Sequence, residues 1–292
     1  MPGISPIKIL GNLKFFSASL TLPTKDKSSD TKEKWSEKYF KDRDKAELDG
    51  VPECIPPWFM PQKPGYKPHQ ETCDKIGKNF KEFHDAMIDA VQFSHDMWKL
   101  KANFKDLKVM SVSAIGAPGC LDGPELESNI KNAPMVASFS GNMQKHRDAV
   151  AAGVSKCFKK WQDKVMVPGL PWYPTFAAFP SPMAPPMPNV PMPLITCPSA
   201  MMSEIITPSS MTSAMDDALD GALKDKDPDK QYHALHDAIA TVLSLAFLLW
   251  LPSQQIMLVL GKGPVPSFAP PFVPVGPVVG GDNVAAPGHL MT

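Results

Sequence analysis

Hydrophobic side chains recur at helical spacing in several separate parts of this chain. Between residues 70 and 103 the apolar positions are Ile76, Phe80, Phe83, Met87, Val91 and Trp98. Steps of three and four residues, with charged side chains between them, place these positions on one face of an α-helix. Similar patterns cover residues 141–166, 209–225 and 229–251. The sequence therefore predicts a helix in each of these four segments.

Weaker patterns occupy the N-terminal region and one short internal segment. Residues 25–49 carry eight basic and eight acidic side chains, which is typical of a solvated helix. A short apolar stripe in this helix consists of Trp35, Tyr39 and Phe40. Before it, apolar residues alternate with gaps and predict an extended segment; they are Ile7, Ile9, Leu13 and Phe15. Residues 108–115 alternate weakly and predict a strand.

Proline-rich apolar segments separate the helical ones. Residues 50–68 contain six prolines, and residues 167–200 contain eleven prolines, four aromatic residues and no charge. Residues 261–292 return to this composition with seven prolines and one acidic residue. Because proline lacks a backbone N–H, such segments are unsuited to helices. The predicted fold is mainly α, with amphipathic helices joined by long extended proline-rich apolar arms and few or no strands.

These changes of pattern divide the chain into five segments. They are an extended segment and charged helix (1–68), a helical region (69–166), a proline-rich arm (167–208), a helical region with a hydrophobic helix (209–260) and a proline- and glycine-rich tail (261–292).

Charge and cysteine content narrow the classes of partner and compartment. The chain has 30 basic and 30 acidic residues, so its total charge gives no reason to expect nucleic acid as a partner. A lysine stripe lies beside Phe158 and Trp161, and it is explained by the C-terminal end of a helix; its members are Lys156, Lys159, Lys160 and Lys164. The five cysteines show no C-x-x-C spacing and predict reduced, mostly buried thiols. The N-terminus is a poor match to a secretory signal.

Candidate catalytic and metal-binding residues are few. His84 and His95 share one face of the first long helix, but eleven residues separate them by roughly 16 Å, too far to share a metal. His233 and His236 are three residues apart, near the start of a helix. We interpret all four as exposed polar residues. No phosphate-binding, dinucleotide-binding or hydrolase motif occurs. The sequence predicts no enzyme, no metal and no cofactor.

An uncharged stretch supports an alternative function. Residues 238–261 contain no charge, and at ~1.5 Å per residue a helix of this length could cross a hydrocarbon core. Pro252 and the polar residues after it divide the stretch, and the longer part also suits a buried helix. A membrane-inserting or integral membrane protein that uses residues 238–260 is therefore the alternative to the main prediction.

An uncharged, proline-rich tract with many large side chains can gain buried area by lying along a neighbouring subunit. In this style, residues 171–194 and 263–281 resemble structural proteins of virions and of the contractile tails of phages and phage-like injection systems. The resemblance implies a structural subunit of a phage tail, baseplate or related apparatus, a homo-oligomer assembled in the bacterial cytoplasm. The residues predicted to contact neighbouring subunits are Trp172, Tyr173, Phe176, Phe179, Met187, Met192, Phe268 and Phe272.

Overall fold

The computed structural model describes residues 3–18, 20, 66–227, 229–265 and 276–291. The predicted charged helix at residues 25–49, and Phe268 and Phe272, lie outside these residues. The helices are α1 (Lys8–Ser17), α2 (Tyr66–Lys101), α3 (Leu126–Lys131), α4 (Gly141–Gln162), α5 (Ser203–Ile206), α6 (Pro208–Ala218), α7 (Gly221–Lys224) and α8 (Gln231–Ser253).

Strands occupy much of the remaining described chain. They are β1 (Asn103–Phe104), β2 (Lys108–Met110), β3 (Ser113–Gly116), β4 (Leu121–Asp122), β5 (Val167–Pro171), β6 (Met183–Pro188), β7 (Met192–Pro193), β8 (Gln255–Ile256), β9 (Leu260–Pro264), β10 (Gly281–Val284) and β11 (Leu290–Met291). Six of them form one antiparallel sheet in the order β5-β3-β2-β10-β9-β6. The prediction of a mainly α fold with few or no strands is therefore wrong, because the protein combines helices with a six-stranded sheet and two small sheets.

The long-period helix predictions are confirmed with shifted ends. The segment predicted at residues 70–103 is α2, which begins four residues earlier. The helix can include Pro68 because this residue lies in the first turn, where a missing N–H costs no hydrogen bond. The segment at 141–166 is α4, and the segment at 229–251 is α8. The segment at 209–225 is divided into α6 and α7, since Leu219 is extended and the Asp220 side chain caps α7.

The N-terminal prediction is wrong, because the segment expected to be extended is helix α1. Its buried positions, Gly11 and Phe15, are one helical turn apart, whereas Ile9 and Leu13 are exposed. Lys8 pairs with Asp89 of α2 at 2.6 Å. Of the four apolar residues that suggested an extended segment, Phe15 is therefore buried, whereas Ile7, Ile9 and Leu13 are exposed.

The sheet accommodates the proline-rich tract at its two edges. Both edge strands, β5 and β6, come from residues 167–188. An edge strand leaves one row of backbone groups unpaired, so it tolerates prolines that a central strand excludes. In β6 the pairing register with β9 shifts between Ala184 and Met187, where Pro185 and Pro186 stand. The extended arm expected from the prolines is thus a pair of strands within the chain's own sheet.

The two edges of the sheet meet, so the sheet curls round on itself. Trp172, just after β5, forms an antiparallel bridge with Asn189, just after β6. Val190 donates its backbone N–H to the Pro171 carbonyl at 2.8 Å.

The close approach of the central strands β9 and β10 requires glycine, since a Cβ on Gly263 would lie 2.5 Å from the Gly281 Cα. Gly261 likewise leaves room for the Trp172 indole.

The helices pack around α8. This helix contacts α1, α2, α5 and α6 and buries Ile239, Leu243, Phe247 and Trp250. Buried residues of the helices and of the sheet belong to one hydrophobic cluster. The sheet and the helical layer are therefore parts of one core.

Candidate functional site

The residues predicted to contact partners lie in different environments. Trp172 and Phe176 are buried in the chain's own core, and the Trp172 Nε1 donates to the Met187 carbonyl at 3.1 Å. Tyr173 is exposed. Phe179, Met187 and Met192 are half-buried against the core. Of these six described residues, Tyr173 presents the most accessible large side chain.

The structure brings together three segments that contain no charged residue. They are residues 109–121, residues 165–203, and the described parts of a third segment, 263–265 and 276–281. Backbone hydrogen bonds join their strand ends: Trp172 donates to the Val112 carbonyl at 2.8 Å, and Val265 donates to the Pro182 carbonyl at 2.8 Å. Val279 donates to the Pro264 carbonyl at 3.1 Å. Segments far apart in sequence therefore form one continuous uncharged region.

Large apolar side chains are exposed on this region. Met110 and Val112 lie at the turn between β2 and β3, Tyr173 follows β5, Met183 begins β6, and Val279 precedes β10. Met183 is 59% exposed. We call these five residues the uncharged surface.

A row of charges of alternating sign crosses the central strands next to the uncharged surface. Asp282 of β10 stands opposite Lys108 of β2 on one side and Lys262 of β9 on the other. All three are exposed. Because these charges lie within two residues of Met110 and Pro264, the boundary of the uncharged surface is sharp.

The histidine predictions for α2 are wrong, since His84 and His95 are fully buried. The His95 ring lies among Trp98, Phe158, Phe247 and Trp250, at centroid distances of 4.5–5.9 Å. Burial, together with the Lys99 charge, lowers the pKa of His95 to about 3. His95 is therefore a neutral part of the aromatic core, and the 3.6-residue pattern that excluded it from the apolar face missed a helix buried on more than one side.

The second histidine pair meets on one carboxylate. Asp216 of α6 binds the Nδ1 atoms of His233 at 2.6 Å and of His236 at 2.7 Å. His233 is exposed as predicted, but His236 is buried. The bonds to these histidines lower the pKa of Asp216 although its burial acts in the opposite direction. Among the described residues no group of three or more histidine, cysteine or acidic side chains is arranged to hold a metal ion.

Three cysteines whose side chains the structure describes are unsuited to nucleophilic chemistry. Cys120, Cys157 and Cys197 are buried free thiols. Burial raises the pKa of Cys120 to about 11 and the pKa values of the other two to about 12. A thiol with such a pKa is almost wholly protonated at neutral pH.

Helix α8 is the one candidate membrane span within the described ranges. By length and composition it could cross a bilayer, and 61% of its most apolar stretch is buried inside the protein. The core helix of a soluble protein meets the same criteria. Its exposed apolar side chains include Leu248 and Leu249.

Comparison of the chain with protein-family models, with curated proteins and with solved structures found no match. The function must therefore be argued from the residues themselves.

Proposed function

We propose that this protein is a structural subunit that associates with a second copy of itself through the uncharged surface. The observation that carries the proposal is the convergence of three charge-free segments on one exposed apolar region. The resemblance to phage-tail and injection-system proteins supplies the kind of assembly in which we place the subunit.

The lack of charge favours a second copy as the partner. In a twofold contact the same patch faces itself, so a charge near the axis meets its own sign. The uncharged surface has no such repulsion. The equal numbers of basic and acidic residues also leave no net repulsion between approaching copies. Nucleic acid and anionic lipid are disfavoured because both are bound mainly by basic side chains.

The side chains of the surface suit a protein contact. Tyrosine and methionine are enriched at protein interfaces, and methionine adapts to irregular neighbours. Burying apolar area contributes about 25 cal/mol per Å². The prolines of β5 and β6 limit strand-to-strand pairing at these edges, which favours contact through side chains.

Light scattering across a concentration series tests the proposal. Wild type should have a mass that is a multiple of the 31.9 kDa chain, and the double variant Val112→Lys/Met183→Lys should be monomeric. In the dimer of the variant, the two lysines of each copy would face those of the other copy. Their repulsion and their loss of hydration should prevent association. Circular dichroism should be unchanged, because both side chains are exposed.

Leu100→Lys is the matched control, since Leu100 is an exposed apolar residue near the end of α2, on the helical layer. It should leave the mass of the particle unchanged. A wild-type monomer at every concentration, or a double variant as large as wild type, would exclude self-association through this surface.

A further inference from the structure

A cleft of about 350 Å³ lies between α1, α2, α4 and the start of α8. Its apolar wall includes Phe80, Phe83 and Leu235, and the Phe80 ring stacks on Phe15. This volume falls at the lower end of the range for small-molecule sites, roughly 300–1,000 Å³. The cleft is remote in sequence from the uncharged surface and has no role in the function proposed above.

Among the residues that the structure describes, Asp227 is the one acidic residue that lines the cleft, and no lysine or arginine among them lines it. Its Oδ2 accepts a hydrogen bond from the Tyr232 backbone N–H at 2.9 Å. Within the described parts of the chain, no ion pair joins this carboxylate to a basic side chain. A half-buried carboxylate therefore faces an aromatic cleft in which no described basic side chain supplies a counter-charge.

The other polar groups of the cleft do not supply a positive charge. Burial, together with the nearby His236, lowers the pKa of His146 to about 4, so its ring is neutral at pH 7. The start of α8 contributes the positive end of a helix dipole, equivalent to about half an elementary charge. One full carboxylate charge exceeds it, and the cleft stays negative.

Aromatic faces add to this preference. Tyr232 and Phe80 are half-buried and line the cleft with Asp227. The negative face of an aromatic ring attracts a cation within about 6 Å. Aromatic rings beside an unpaired carboxylate form a chemical environment that holds an ammonium group by its charge and the attached carbon skeleton by burial.

We propose that this cleft binds a small organic cation, an ammonium group carried on an aromatic or aliphatic body, with Asp227 against the charge and Phe80 and Tyr232 against the body. Small anions should not bind, because they would meet the carboxylate and no described basic side chain lines the cleft. No covalent step is involved.

The probe is 2-phenylethylamine, and its neutral counterpart 2-phenylethanol has the same ring and chain length. Ligand-observed NMR and calorimetry on the full chain should show binding of the amine at least about tenfold tighter than the alcohol. Asp227→Asn should remove this difference by weakening amine binding alone. The substitution keeps an oxygen that can accept from Tyr232 N–H, so the start of α8 retains its hydrogen bond.

Asp225→Asn is the matched control, because Asp225 is exposed and does not line the cleft. It should leave both affinities unchanged. Phe80→Ala should weaken both probes, since it removes part of the apolar wall. Absence of amine binding, equal binding of amine and alcohol to wild type, or amine binding unaffected by Asp227→Asn would each overturn the proposal.

Discussion

The helical layer and the curled sheet both bury apolar residues, but they differ in the side chains that they expose. The helices bury aromatic rings, and even histidines, while their outer faces carry ion pairs such as Lys159–Asp163 and Lys131–Glu127. The sheet packs small residues such as Gly261 and Gly263 inside and exposes Met110 and Met183 at one set of strand ends. A charged exterior needs no partner, whereas an uncharged apolar exterior gains free energy by finding one.

The two regions also differ in the kind of contact that fills their interiors. In the helical layer, large rings meet at several angles around His95. In the sheet, backbone lies against backbone, and the absence of a Cβ is what permits the contact. We therefore expect the helical core to be most sensitive to charge and the sheet to added volume.

The largest effect is expected inside the helical core. Phe247→Arg places a charge against the rings of His95, Phe158 and Trp250, none of which carries a negative charge to pair with it. The free energy of unfolding should fall by about 4 kcal/mol or more. Urea denaturation followed by circular dichroism measures the change.

The neighbouring residue is the control, because Leu248 is 46% exposed whereas Phe247 is fully buried. Leu248→Arg should change stability by less than about 0.5 kcal/mol, since arginine is also a good helix former. Equal losses would contradict the packing of α8. Carbonate-resistant membrane association of wild type that Leu248→Arg abolishes would instead support the membrane alternative.

A pH titration should show the next largest effect, again from the helical layer. Below pH ~6.5 the unfolded chain binds a proton at His95, whereas the folded protein binds none there until about pH 3. Stability is thus fully present above pH ~6.5 and is lost as the pH falls, by up to about 1.4 kcal/mol per unit for this residue. His146 adds to the loss down to about pH 4.

Denaturation of His95→Phe between pH 6.5 and pH 4 checks this account. The variant should flatten the slope, and it breaks no hydrogen bond, because neither ring nitrogen of His95 has a partner among the described residues. The pKa of Asp122 is lowered by its bond to Lys105, whereas burial raises the pKa of Asp96, so the slope of the variant is compared with that of wild type over the same pH range. A slope unchanged by the substitution would show that His95 is not buried as a neutral ring.

A smaller effect is expected in the sheet. Gly263→Ala puts a methyl group 2.5 Å from the Gly281 Cα, and two strands must separate to admit it. Overpacking of this kind costs about 1–3 kcal/mol. Thermal unfolding should show a lower midpoint for this variant.

Gly169→Ala in β5 is the matched control, because its methyl group would meet only the Ser113 Oγ at 3.4 Å. It should be nearly neutral. If both alanine variants unfold at the wild-type midpoint, the close approach of β9 and β10 is wrong.

Local pattern predicted most of the helical layer correctly and much of the sheet wrongly. The apolar positions of α2, from Phe83 to Trp98, identify a helix. A local pattern is enough here, because a helix makes its backbone hydrogen bonds within its own segment. Strands β9 and β10 are separated by sixteen residues, and β2 pairs with β10 across more than 170. No local pattern shows such pairings, so the prolines of the two edge strands predict an extended arm along a neighbouring subunit instead.

By itself, the sequence determined that the segments of α2, α4 and α8 are helical and which stretches carry no charge, because both properties depend mainly on neighbouring residues. The tertiary structure decided that Trp172 and Phe176 are buried in the chain's own core, while Met183 and Val279 are exposed together. It also placed His146 and Asp227 at one cleft. These outcomes depend on strand pairing and helix packing between distant residues, whose free energy comes from contacts that exist only after the chain has folded.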